Sequence, residues 1–136
     1  MPPGEVSEIS WLSLPDPALV RSGLLGLLAL RLGLAPIGPR LAWLGGRERP
    51  DSPLLRTWRV VDQSSADPKR VRAMLRRHEI GPVRVLKRGH PDRPEVLERK
   101  FRGTGPRRGL VAVARLAQGH AALLLEESAE LPPGGA

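Results

Sequence analysis

The sequence predicts an α+β fold, a mixed sheet carrying its helices on one face, and three observations lead to it. Two segments open with Asp-Pro and continue with apolar residues at helical spacing, "DPALVRSGLLGLLALRLG" and "DPKRVRAMLRRHEIG". Several short runs alternate apolar and polar residues in the manner of half-buried strands. Strand and helix patterns then follow one another as β-α-β-β-α-β and α-β-β, an order that one layered sheet accommodates. With 136 residues the chain suffices for one compact domain, or two very small ones sharing a core.

Taken in order, "SEISWLSL" alternates weakly and reads as the first strand. The first helix has Asp16 as its N-cap, Pro17 at its first position and Gly33 as its stop. Leu24, Leu27, Leu28 and Leu32 are spaced to face a core, while Gly23 and Gly26 each weaken the helix by up to about 1 kcal/mol relative to Ala. "RLAWLGG" is a short strand closed by glycines, and the polar, Pro-containing "RERPDSP" is a loop. In "LRTWRVVDQ" Thr57, Arg59 and Val61 share one side of a strand and Trp58 and Val60 the other.

The second Asp-Pro helix begins with Asp67 and Pro68 and ends before Gly81. At 100° per residue Val71, Met74, Leu75 and His78 fall in one arc, Lys69, Arg72 and Arg76 lie opposite, and Arg70 and Arg77 share a flank. "VRVLKRG" is the next strand and delivers Lys87 and Arg88 to a turn. In "PDRPEVLERKF" Asp92 and Glu95 have capping-box spacing ahead of an apolar stripe through Val96, Leu97 and Phe101. "RGTGPRRG" is a loop by composition, "LVAVARL" and "HAALLLEE" form a hairpin about "AQG", and "SAELPPGGA" is a disordered tail.

Composition narrows the function. The chain has no Cys, which excludes disulfides, thiol nucleophiles and Cys-based metal sites and fits a reducing compartment. The preference for Arg over Lys reads mainly as GC-rich bacterial coding. The apolar stretch "LVRSGLLGLLALRLGLA" is broken by Arg21 and Arg31 and falls short of the roughly 20 apolar residues that span a bilayer. Glu5 and Glu8 stand where a signal peptide has its basic region, so a cytoplasmic chain without membrane contact is expected. The formal charge of +8 is unevenly spread: residues 67–108 hold 14 Lys or Arg against 5 Asp or Glu, residues 1–66 hold 7 against 6, and residues 109–136 hold 1 against 3. A basic segment of that density fits a phosphate-bearing partner, or else a solvated surface.

Catalytic motifs are sparse. His78, His90 and His120 fall in three separate elements without ligand spacing, so no metal is expected. No GxSxG elbow or P-loop occurs, and "GTGPRRG" follows a helix pattern and lacks GxGxxG spacing, so a flexible connecting loop accounts for its glycines. Attention therefore falls on the cations. Arg72 and Arg76 are one turn apart and can straddle neighbouring phosphates with bidentate guanidinium contacts, with Lys69 on the same face, Lys87 and Arg88 at a strand end, and Arg107 and Arg108 on the following loop. Aromatic residues make up 3% of the chain, so recognition of phosphates and shape fits better than base stacking. The alternative is a solvated helix face pairing locally with Glu79.

The succession "DPALVRSGL", "RLAWL", "DSPLLRTWRVVD", "PKRVRAMLRRHEIGPVRVLKRG", "PEVLERKFRGTG" and "LVAVARLAQGHAALLLEE" resembles the C-terminal part of bacterial S-adenosylmethionine-dependent methyltransferases, over about residues 14–126. In that group a Rossmann-type catalytic domain precedes a ferredoxin-like segment and a THUMP-like domain. The resemblance implies a ferredoxin-like segment at 1–63, a THUMP-like domain at 64–127 and a tail at 128–136. It also implies that Lys69, Arg72, Arg76, Lys87, Arg88, Arg107 and Arg108 contact RNA, tRNA or rRNA being candidates. Leu14 and Pro15 stand where the family often has acidic residues. The glycine-rich turn and ribose-binding acid that a methyltransferase needs are expected upstream of Met1, so S-adenosylmethionine belongs to a catalytic domain supplied in cis or in trans. A non-catalytic RNA-binding accessory module is the expectation. The alternatives are a protein-interaction module that docks on a separate catalytic domain through leucines 24–34, or a non-functional truncated fragment.

Overall fold

Eleven residues of alternating character, Leu55–Ser65, form the long strand around which the molecule is organised. The computed structural model describes residues 9–37, 43–88, 91–115 and 119–126. In chain order the elements are β1 (Trp11–Pro15), α1 (Pro17–Ser22), α2 (Leu25–Leu32), β2 (Ala35–Pro36), β3 (Leu44–Gly46), β4 (Leu55–Ser65), α3 (Pro68–Arg77), β5 (Ile80–Arg88), α4 (Pro94–Phe101), β6 (Arg107–Arg115) and β7 (His120–Leu125). The strands make one seven-stranded mixed sheet in the order β2-β3-β1-β4-β7-β6-β5. This is the α+β architecture the sequence predicts. The tail at 128–136 and His90 lie outside the described residues.

β4 pairs antiparallel with β1 through its first half, Leu12 opposite Trp58, and with β7 through its second, Asp62 opposite Leu124. A bulge between Val60 and Asp62 reverses the alternation there. β6 and β7 form the antiparallel hairpin, and β5 runs parallel to β6 through the crossover helix α4.

The register sorts side chains into layers. Val71, Met74 and Leu75 of α3 and Leu97 and Phe101 of α4 pack on Val83, Val85, Val111, Val113 and Leu124. Leu25, Leu28, Ala29 and Leu32 of α2 pack with Leu19 on Leu44 and Leu55. Leu55 alternates with Trp58 and Val60, which lie in the opposite layer with Leu12, Leu110, Ala112, Leu123 and Leu125. All four helices thus share one face. Ile9, Ile37 and Trp43 pack against the other layer.

Several local expectations are corrected by the backbone. The predicted first helix is two helices: Gly23 adopts φ 77 and caps α1, and α2 restarts in a new phase. Leu28 and Leu32 consequently face the core as expected, whereas Leu24 and Leu27 are 57% and 54% exposed. Asp16 and Asp67 are the N-caps, accepting from Ala18 N at 2.8 Å and Arg70 N at 3.3 Å. α4 has no capping box, because Pro94 takes the first helical position and puts Arg93 at the cap; Asp92 pairs with Lys100 Nζ at 2.9 Å instead.

The "RGTGPRRG" segment is not a loose loop, and Arg107 and Arg108 belong to β6. Gly103 N donates to Gly81 O at 2.8 Å, Gly105 N to Ile80 O at 3.3 Å and Arg107 N to Glu79 O at 3.1 Å, a strap laid across the start of β5. The approach needs glycine: a Cβ on Gly81 would fall on the Gly105 carbonyl, and one on Gly105 on the Glu79 carbonyl. Gly81, expected to follow the helix stop, serves this crossing; the positive-φ residue after α3 is Glu79, at φ 58.

Candidate nucleic-acid interface

Parallel pairing between β5 and β6 decides which cations can meet. Ile80 lies opposite Arg107 and Arg88 opposite Ala114, so Lys87–Arg88 and Arg107–Arg108 occupy opposite ends of the pair. At about 3.3 Å per residue the two ends are roughly 20 Å apart. α3 spans the interval: Lys69 lies in its first turn, and Arg76 and Arg77 in its last, beside the Arg107 end. The seven predicted cations are therefore two groups joined by a helix face.

The Arg107 end has the more developed geometry. α3 stops at Arg77, and beyond it the sheet is uncovered over a cleft of about 450 Å³. Its walls include Arg59, His78, Arg107 and Arg108, its apolar lining includes Val61, Ile80, Leu124 and Leu125, and Glu126 closes one side. The glycine strap sets these positions, since it fixes where β6 begins relative to the end of α3. Arg107 Nη1 lies 3.4 Å from His78 O and so meets a carbonyl left over by the helix terminus. Arg59 lies 3.7 Å from Glu126, an ion pair whose Arg side chain is 62% exposed.

Asp62 organises the inner wall. Its Oδ2 accepts from Arg77 Nη2 at 3.0 Å and from His78 Nε2 at 2.9 Å, and its Oδ1 accepts from Gln63 N at 2.8 Å. Burial works against ionisation here. The hydrogen bonds from His78, the Gln63 amide and Arg77, with the Arg77 charge, outweigh it and hold the carboxyl below the ordinary carboxylate range. An ionised Asp62 thus fixes the His78 ring at the cleft and engages Arg77.

On the outer face of α3, Lys69, Arg72 and Arg76 are exposed, opposite buried Val71, Met74 and Leu75. Arg72 Nη1 also donates to Lys100 O at 2.6 Å, tying α3 to the last turn of α4 while further guanidinium N–H groups remain. Lys87 is half-buried. Arg59 and His78 are the cleft residues that sequence reasoning missed. Arg59 was visible only as one side of a strand, and His78 as the polar member of an apolar arc.

The structure also bears on the other chemistries. Trp43 and Trp58 are 2% and 6% exposed, and the Arg56 guanidinium lies over the Trp58 ring at 5.0 Å, so neither offers a stacking platform. Gly103 and Gly105 face the β5 backbone and leave no cradle for a cofactor. Among the described residues no group of three His, Cys, Asp or Glu could hold a metal ion, and no helix is long and apolar enough to cross a membrane.

The family model described as THUMP domain-like matches residues 55–127, from the first residue of β4 to two residues past β7. The chain belongs to the THUMP-like family. Two curated relatives, uncharacterised S-adenosylmethionine-dependent methyltransferases from Mycobacterium tuberculosis strains CDC 1551 and H37Rv, are each 35% identical over 109 residues. That match takes in 80% of this chain and 30% of each relative, so the chain spans less than a third of their length. A solved structure described as a methyltransferase of Porphyromonas gingivalis W83 superposes with a TM-score of 0.69 at 18% identity, covering 94% of this chain and 32% of that one. The THUMP-like unit with its N-terminal helices and strands is thus a fold also found as the minor part of longer chains.

Proposed function

We propose that this chain is a non-catalytic RNA-binding module of a cytoplasmic bacterial S-adenosylmethionine-dependent methyltransferase. It holds RNA by its phosphates while a catalytic domain in cis or in trans binds the cofactor and performs the transfer. The observation that carries this reading is the meeting of Arg59, Arg107 and Arg108 at an open cleft to which the cationic face of α3 leads. Family membership and the methyltransferase relatives support it.

The physical argument is electrostatic. Guanidinium groups at the cleft rim form bidentate bonds to phosphate oxygens, and Arg76 on α3 extends the same track toward Arg72 and Lys69. The fixed strap places Arg107 and Arg108 without ordering a loop on binding, which lowers the conformational cost. Lys87 and Arg88 serve a second segment of a folded RNA, at the far end of α3.

Fluorescence anisotropy with a labelled structured RNA tests the proposal. If about four phosphates are neutralised, a log–log plot of affinity against salt has a slope on the order of −3 to −4. A salt-independent affinity, or none above that for a neutral polymer, contradicts the reading.

A further inference from the structure

α1 and α2 expose a surface that nothing in the packing of the described residues explains. Val20, Leu24, Leu27 and Leu30 are 43%, 57%, 54% and 65% exposed. At 100° per residue Leu27 and Leu30 point away from Leu25, Leu28, Ala29 and Leu32, which pack on the sheet, so α2 is apolar on both sides while one side is covered. Single exposed apolar residues are ordinary, but a valine and three leucines on neighbouring turns form a patch. Gly26 lies on the same outer side, and a Cβ there would meet nothing within 4 Å. Among the described residues nothing adjoins this glycine, which weakens the helix, and a second surface closing on the helix would use the space.

Resting on the reading that this chain serves a methyltransferase, we propose that this face docks its catalytic domain, through an apolar patch with acidic groups at its margin. The occupant follows from two facts. The fold covers 94% of this chain but 32% of the solved Porphyromonas methyltransferase; the 6% left uncovered is too short to omit both helices, so the helix pair recurs inside a chain most of which lies outside this unit. Residues 17–33 contain Arg21 and Arg31 and no Asp or Glu, so a second copy would bring like charges together, whereas an acidic margin would pair them.

Hydrogen exchange on the full chain tests this, alone over a range of concentrations and mixed with the separately produced catalytic portion of the Mycobacterium tuberculosis relative, shown to be folded by binding S-adenosylmethionine. Exchange at α1 and α2 amides is expected to slow at least about tenfold in the mixture. Leu27→Ser with Leu30→Ser removes that protection and leaves Tm and RNA affinity as in the parent chain, so failure here is distinct from failure of RNA binding. Unchanged exchange in the mixture overturns the proposal. So does equal slowing on self-association, which assigns the face to a second copy, or equal slowing with anionic phosphatidylglycerol vesicles, which assigns it to a membrane surface.

Discussion

The molecule carries two helix pairs on one face of one sheet, and their outer surfaces differ in kind. α3 and α4 bury Val71, Met74, Leu75, Leu97 and Phe101 and turn Lys69, Arg72, Arg76, Arg99 and Lys100 outward. α1 and α2 bury Leu19, Leu25, Leu28, Ala29 and Leu32, yet present Leu24, Leu27 and Leu30 as well. The sheet beneath is continuous through β4. The inner faces therefore answer to the same requirement, burial of the sheet, and the outer faces differ in character: cationic on one pair, apolar on the other.

The largest effect is expected at the strap beneath the α3–α4 pair. Gly105→Ala sets a Cβ against the Glu79 carbonyl, where backbone must move, and should destabilise by more than about 3 kcal/mol in urea unfolding. Next come the buried faces. Phe101→Ala should cost about 3–5 kcal/mol, whereas Leu27→Ala on the exposed face of α2 should change stability by less than about 0.5 kcal/mol. Equal effects would mean that the two surfaces are not different in kind.

A smaller effect separates the pairs by pH. Because the folded-state pKa of Asp62 is depressed, its contribution is present above the unfolded-state value and lost as pH falls through the folded one. Stability measured from neutral pH downward should therefore fall more in the parent chain than in Asp62→Asn across and below the carboxylate range. The smallest effect sharpens the contrast from the other side: Gly26→Ala should stabilise the isolated chain by up to about 1 kcal/mol, since nothing adjoins the added methyl.

Much of the fold could be read from local chemistry. The Asp-Pro caps, the 3.6-residue arc of α3 and the β6–β7 hairpin rest on short-range rules, and the structure has all three. What escaped depended on long-range geometry. Gly23 and Gly26 look alike in sequence, yet only Gly23 adopts a positive φ and splits the helix, which rotates Leu24 and Leu27 outward. The glycines of "RGTGPRRG" read as slack because the segment they cross, Glu79–Gly81, is distant in sequence.

The candidate site was legible as composition but not as geometry. Residues 67–108, where charge is concentrated, supply His78, Arg107 and Arg108 to the cleft, but the separation of Lys87–Arg88 from Arg107–Arg108 follows from parallel register, which no local pattern encodes. Arg59 joins the cleft from β4, outside the basic segment altogether.

In the proposed function the cations at the Arg107 end of the sheet, continued by α3, dock RNA. Its most direct test is the salt dependence of RNA binding in Arg107→Glu with Arg108→Glu, set beside Lys87→Glu. The double variant should lose at least about tenfold in affinity, with the magnitude of its log–log slope reduced by about 2, and Lys87→Glu should lose less. Affinity and slope unchanged in the double variant would contradict it.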